Sequence, residues 1–163
     1  MKIGGVNKIY NMDCLIGMDA IENNFIDLIV TSPPYYNVKK YSHWENYGLY
    51  LCWLEKIFCK TMKVLKDGRM CCVNISNIII PREKRSMESK RIPLAFHFVE
   101  IMEKIGYKFI EDIVWEKPDG SAKNRNGGFF RNRQPMQYKP NIVTEYIFVF
   151  QKPMNGLLDK IIK

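Results

Sequence analysis

The stretch Phe25-Ile26-Asp27-Leu28-Ile29-Val30-Thr31-Ser32-Pro33-Pro34-Tyr35 decides how this chain is read. Residues 25–30 are nearly all apolar and mostly β-branched or aromatic, the pattern of a strand buried on both faces. The run stops at Thr31-Ser32-Pro33-Pro34, because two prolines cannot stay in a central strand. The chain must leave the sheet there in a rigid turn. The prolines withhold N–H groups and leave bare carbonyls. The Ser32 hydroxyl can accept as well, and Tyr35 adds a flat ring. Such a turn suits a planar group bearing an exocyclic amine, such as a nucleobase taken out of its stack.

Working outward, residues 8–12 read as a short strand that places Asp13 at its end. Residues 49–65 are helical, with Leu54, Ile57, Phe58, Met62 and Leu65 on one face. Asp67-Gly68 reads as a turn. Residues 70–75, Met-Cys-Cys-Val-Asn-Ile, form another buried strand, and the polar, mixed-charge residues 81–91 a mobile loop. Residues 94–105 are helical with Ala95, Phe98, Val99, Met102 and Ile105 on one side, stopped by Gly106. Residues 107–115 and 145–151 read as strands. The alternation predicts an α/β fold: an open, mostly parallel sheet covered on both faces. Ligands sit at the carboxyl ends of strands in such sheets, so Asp13 and Thr31 to Tyr35 should share one rim.

The 163 residues are 47% hydrophobic and 26% charged, which excludes whole-chain disorder, collagen and coiled coil. One domain is the expectation, residues 1–163, with no separate second domain. Lys plus Arg outnumber Asp plus Glu 25 to 17, a net +8 that favours an anionic partner, nucleic acid first. The N-terminal residues lack an apolar signal core and no stretch reads as membrane-spanning, so the expected location is cytoplasmic. Five cysteines without a C-x-x-C pair argue against disulfide scaffolds and zinc knuckles. His43 and His97 lack partners at metal spacing, so no metal is expected.

Ser32-Pro33-Pro34-Tyr35 resembles the catalytic motif of the amino-group-specific DNA methyltransferases that use S-adenosylmethionine. The T-S-P-P-Y form is similar to the variety associated with N4 of cytosine; adenine N6 is the alternative. The resemblance extends to Asn11-Met12-Asp13-Cys14-Leu15, to Trp53-Leu54, to residues 64–68 and 73–75, to residues 113–118 and to residues 145–150. It implies a Rossmann-like methyltransferase sheet whose last two strands are an antiparallel edge pair. It implies that the amine attacks the cofactor's methyl group, with Ser32 and the Pro33 carbonyl holding the amine hydrogens. Pro34 stiffens that turn and Tyr35 stacks on the base. Loss of such positioning typically costs about two to three orders of magnitude in rate. By the same resemblance Asp13 and Thr31 meet the cofactor.

The chain departs from the family in one respect: no F-x-G-x-G cofactor loop is present. The early position of the motif resembles the permuted class in which the cofactor half comes last. The expectation is an incomplete sheet lacking the cofactor-loop strands, with an exposed apolar edge. A second subunit carrying that loop and target recognition, self-association, or truncation would each account for it. An inactive DNA-binding remnant or regulatory subunit is the competing reading, and RNA is a third substrate possibility. Residues 120–144 contain no acid, and Lys123, Arg125, Arg131, Arg133 and Lys139 alternate there with Phe129, Phe130 and Tyr138. With Lys39 and Lys40, Arg125, Arg131 and Arg133 are the expected DNA contacts.

Overall fold

A computed structural model describes residues 7–37, 42–80, 90–118 and 144–154. The elements run α1 (Cys14–Asp19), β1 (Ile26–Thr31), α2 (Tyr47–Val64), β2 (Leu65–Ile75), β3 (Ile78–Ile80), β4 (Lys90–Ile92), α3 (Leu94–Ile105), β5 (Lys108–Glu116) and β6 (Thr144–Gln151). The main sheet has the order β1-β2-β6-β5, and β3 pairs with β4 as a separate antiparallel ribbon.

Each helix forms for local reasons. Asn46 accepts from the Leu49 amide at 2.9 Å and caps α2. Tyr50, Leu54, Phe58, Thr61 and Val64 then bury one stripe at spacings of four and three. Pro93 opens α3 without a side-chain cap, and Asn77 supplies one, accepting from the Ala95 amide at 3.1 Å. Gly106 closes α3 in the left-handed region at φ 107°, and the Tyr107 amide returns to the Met102 carbonyl at 3.0 Å. Helices α2 and α3 cover one face of the sheet. Phe98 is fully buried there, its ring 4.9 Å from Phe58 and 5.9 Å from Phe150, centroid to centroid.

The sheet is mixed rather than mostly parallel. Among the described strands only β1 and β2 pair in parallel; β6 is antiparallel to both β2 and β5. The expected antiparallel edge pair is present as β5–β6. Cover on both faces is not found among the described residues. Cys71, Val73 and Ile75 of β2 face the helices, whereas the register aligns Val30, Cys72 and Val149 on the opposite face. On that face Leu28 is 56% exposed, Val30 72%, and Ile113 and Trp115 47% each. The apolar run of β1 was legible, but its second burying layer is not among these elements.

Three local expectations are corrected. Residues 8–12 are not a strand: Asn7 takes a left-handed φ of 60°, Ile9 is fully exposed, and no described strand lies beside β1 on its outer edge. An unpaired strand would leave its backbone groups without ladder partners, which explains the loss. Asp67-Gly68 is not a separate turn but an irregularity inside β2. There Ile26 pairs Leu65 while Leu28 pairs Met70, and Gly68 adopts φ 73° against Met154. A Cβ on Gly68 would stand 2.9 Å from the Met154 Cγ. Residues 81–89 lie outside the described residues, while Lys90 and Arg91, read as loop, pair in β4.

Candidate active site at the carboxyl end of the sheet

Strand β1 ends at Thr31, opposite Val73 of β2, and releases Ser32 to Tyr35 over the sheet's carboxyl rim. The turn is braced from behind. Tyr50 donates its hydroxyl to the Pro34 carbonyl at 3.0 Å, and Ser42 donates to the Tyr35 carbonyl at 2.5 Å. Asn37, at φ 50°, clasps Trp44 with two bonds: its Nδ2 donates to the Trp44 carbonyl at 3.1 Å, and its Oδ1 accepts the Trp44 amide at 2.7 Å. Trp44 packs edge-on to Tyr50 and close to Trp53, and Tyr36 packs on Tyr47 and Tyr50. This aromatic wall makes the turn stiff. Two of its carbonyls are thereby occupied, while the carbonyl of Pro33 accepts no bond from the described residues.

In front of the turn lies a polar cluster. Ser32 donates from Oγ to the Asn74 Oδ1 at 3.3 Å. The Tyr35 hydroxyl lies 3.4 Å from the same oxygen and 3.3 Å from the Glu145 Oε2. The Asn74 Nδ2 donates to the Tyr146 carbonyl at 3.4 Å, which fixes which way the amide points. Glu145, at the start of β6 and almost fully buried, is ion-paired with Lys117, whose Nζ lies 5.9 Å from the Trp115 ring centre. Burial, and then the Glu145 charge, push the Tyr35 phenol well above its ordinary range, so its hydroxyl keeps its proton and acts as donor.

The structure thus brings Ser32, Pro33, Pro34 and Tyr35 into one rim with Asn74, Glu145 and Lys117, three residues that had not been assigned to the site. A polar Asn ending an otherwise apolar strand was the visible sign of Asn74. Its contacts to Ser32 and Tyr35 span about forty residues, and Tyr35 reaches Glu145 across 110, so no local spacing shows them. Thr31 stands at the strand end as expected. Asp13 does not end a strand: it caps α1, its Oδ1 accepting from Leu15 at 2.8 Å and Ile16 at 3.3 Å. Lys60 of α2 holds α1 in place, donating to the Leu15 carbonyl and pairing with Asp19. Lys39, Lys40, Arg125, Arg131 and Arg133 lie outside the described residues.

A family model described as DNA methylase, of the N6/N4 methyltransferase type, matches residues 26–162. The chain belongs to this DNA methylase family. The match takes in the Ser32–Tyr35 turn, Asn74, Lys117 and Glu145 alike. The type II beta methyltransferase M.BslI of Bacillus sp. (strain NEB-606) is 33% identical over 153 residues, covering 91% of this chain and 16% of that protein. The type II methyltransferase M.MjaVI of Methanocaldococcus jannaschii is 30% identical over 164 residues, covering 97% and 79% respectively. Among solved structures, TTHA0409 of Thermus thermophilus, described as a DNA modification methylase and complexed with S-adenosyl-L-methionine, superposes with a TM-score of 0.68 at 20% identity. That superposition covers 89% of this chain and 55% of TTHA0409. The cytosine-N4-specific PvuII DNA methyltransferase gives a TM-score of 0.63 at 18% identity, covering 93% and 52%. The DNA methylase chain described here therefore shares their α/β fold while spanning about half of those structures.

Proposed function

We propose that this chain supplies the catalytic part of an S-adenosylmethionine-dependent DNA methyltransferase acting on a base amino group, N4 of cytosine in preference to N6 of adenine. One observation carries the reading: the exposed Ser32 hydroxyl, turned by Asn74, is followed in the chain by a buried Pro33 whose carbonyl accepts no bond from the described residues. An exocyclic amine has two hydrogens and a lone pair delocalised into its ring. The Ser32 Oγ and the Pro33 carbonyl would take one hydrogen each, draw the nitrogen toward a tetrahedral shape and free the lone pair. On transfer, the methyl's bond to the sulfonium sulfur would break and leave a neutral thioether, and the newly methylated nitrogen would shed one hydrogen as a proton to solvent. Tyr35, its hydroxyl anchored at Asn74 and Glu145, would keep its ring against the base. Restriction–modification fits the names of the relatives, which are type II methyltransferases.

The rim carries the Ser32 and Tyr35 hydroxyls, the Asn74 amide and one ion pair, with exposed Leu28 and Val30 nearby on β1. Acceptors beside apolar surface fit a sulfonium joined to an adenosine, and Thr31 and Asp13 are the chain's own candidates to hold it. S-adenosylmethionine would supply an electrophilic methyl group there. We assign the cover of the open apolar face to cofactor and target-recognition segments, carried by a second polypeptide or by a C-terminal half of the same protein. Lys39, Lys40, Arg125, Arg131 and Arg133 would meet the DNA backbone in the cytoplasm. No described helix is long and apolar enough to cross a membrane.

The test is transfer of labelled methyl from S-adenosylmethionine to unmethylated genomic DNA, by the chain alone and with its completing polypeptide. Nucleosides are then separated. Labelled N4-methylcytosine that disappears with Ser32→Ala supports the reading. Labelled N6-methyladenine would move the target to adenine. Wild-type DNA binding without transfer would favour a regulatory subunit.

A further inference from the structure

We propose that Asn74 is a positioning residue that makes the Ser32 hydroxyl a pure acceptor toward the substrate amine; the inference rests on the methyl-transfer reading above. A serine hydroxyl carries one proton and can turn it in any staggered direction. Aimed at an amine, that proton would oppose the hydrogens it is meant to receive. In this chain the direction is set. The Asn74 Nδ2 donates to the Tyr146 carbonyl at 3.4 Å, so Oδ1 faces the catalytic turn. That one oxygen lies 3.3 Å from the Ser32 Oγ and 3.4 Å from the Tyr35 hydroxyl. With the Tyr35 hydroxyl oxygen beside it, it draws the Ser32 proton sideways along the rim, and the lone pairs of Oγ remain for a ligand. The Tyr35 hydroxyl, shared between Asn74 and Glu145, has its proton drawn the same way.

The backbone makes this placement firm. Asn74 sits in the second strand of a four-stranded sheet, between β1 and β6, and is paired with Ile147. Its neighbours Val73 and Ile75 are fully buried on the other face. Its side chain therefore stands on a rigid element, as precise positioning requires. An amide takes up no proton in water at ordinary pH, so Asn74 orients the hydroxyl without deprotonating it. Asn74 would act through Ser32 and would not itself touch the base.

The experiment is single-turnover methyl transfer with Asn74→Leu, Asn74→Asp, Ser32→Ala and the double variant Ser32→Ala/Asn74→Leu, together with their thermal midpoints. Asn74→Leu is expected to lower kcat by about 10- to 100-fold with KM for DNA little changed, the size of one lost positioning group. The double variant is expected to be no slower than Ser32→Ala, since the two act as one unit. Asn74→Asp keeps the acceptors for Ser32 and Tyr35 but sets a carboxylate oxygen against the Tyr146 carbonyl, so it should restore only part of the rate above its carboxyl pKa. Below that pKa it should show a new acid-side fall, because a protonated carboxyl donates. Losses that multiply in the double variant, or a rise in KM alone, would overturn the inference. If Asn74→Leu unfolds, Asn74→Ala takes its place in the cycle: losses that multiply with Ser32→Ala overturn the inference too. No transfer by the wild type with its completing polypeptide removes the underlying reading, and this inference with it.

Discussion

Asp13 shows how one side chain can be assigned two duties by two kinds of observation. Its Oδ1 is committed to the amides of Leu15 and Ile16, which makes it the N-cap of a six-residue helix. Its resemblance to a cofactor-contacting acid asks for the charge as well. Asp13→Ala is expected to cost about 1 kcal/mol, the usual loss of an N-cap, read by urea unfolding. Asp13→Asn keeps an acceptor for the cap and removes only the charge. If Asp13 also meets the cofactor, Asp13→Asn leaves stability near wild type and weakens S-adenosylmethionine binding in calorimetry. Equal binding by both proteins would confine Asp13 to α1. Tyr35 is a second such residue. Tyr35→Phe would release both Asn74 and Glu145 from its hydroxyl, so an effect on rate with the ring retained would separate anchoring from stacking.

At the scale of elements, α3 carries the core against the sheet and depends on one left-handed residue. Gly106 takes φ 107°, and a Cβ there would meet no atom within 4 Å. The cost of Gly106→Ala is therefore backbone strain alone, expected at about 1 kcal/mol of stability with no change in the site. An unchanged thermal midpoint would mean that the α3 end relaxes away from this geometry. Helix α2 passes into β2 at Leu65 with no intervening loop, and Leu65 is fully buried. That direct joint holds β2, and with it Asn74, against the helix that braces the Pro34 carbonyl through Tyr50.

Across the whole molecule two predictions follow from burial. Burial raises Tyr47 to about 12, raises Cys71 to about 12, and pushes Tyr35, Tyr50 and Tyr107 higher still. The unfolded chain releases phenol protons near 10, so above that pH the folded state binds more protons than the unfolded one. Because the unfolded Cys71 thiol already releases its proton near 9, stability should be intact below about pH 9 and fall as pH rises through the folded values near 12. Phenolate absorbance during alkaline titration checks this: four of the nine tyrosines should appear only with unfolding. The second prediction concerns the open face. Val30→Glu with Ile113→Glu alters side chains that are 72% and 47% exposed, so the melting point should move by only a few degrees. Binding of a completing polypeptide, or self-association in light scattering, should be lost. A large fall in melting point would show instead that the chain buries this face itself.

Elements whose chemistry is local can be read from the residues alone. The apolar run of β1 and the Thr31-Ser32-Pro33-Pro34-Tyr35 turn are legible because prolines end strands wherever they stand. The helical stripe containing Leu54 and Phe58, and the stop at Gly106, follow from periodicity and from glycine's tolerance of positive φ. The turn from Ser32 to Tyr35 is therefore legible before any contact is known. Three matters depend on how the elements pack. Packing denied a strand to residues 8–12, because pairing needs a neighbour that composition cannot announce. It placed β6 antiparallel between β2 and β5, a register set by partners far apart in the chain. It brought Asn74 and Glu145 to the hydroxyls of Ser32 and Tyr35, since hydrogen-bond partners are chosen by the sheet's strand order and not by distance along the sequence.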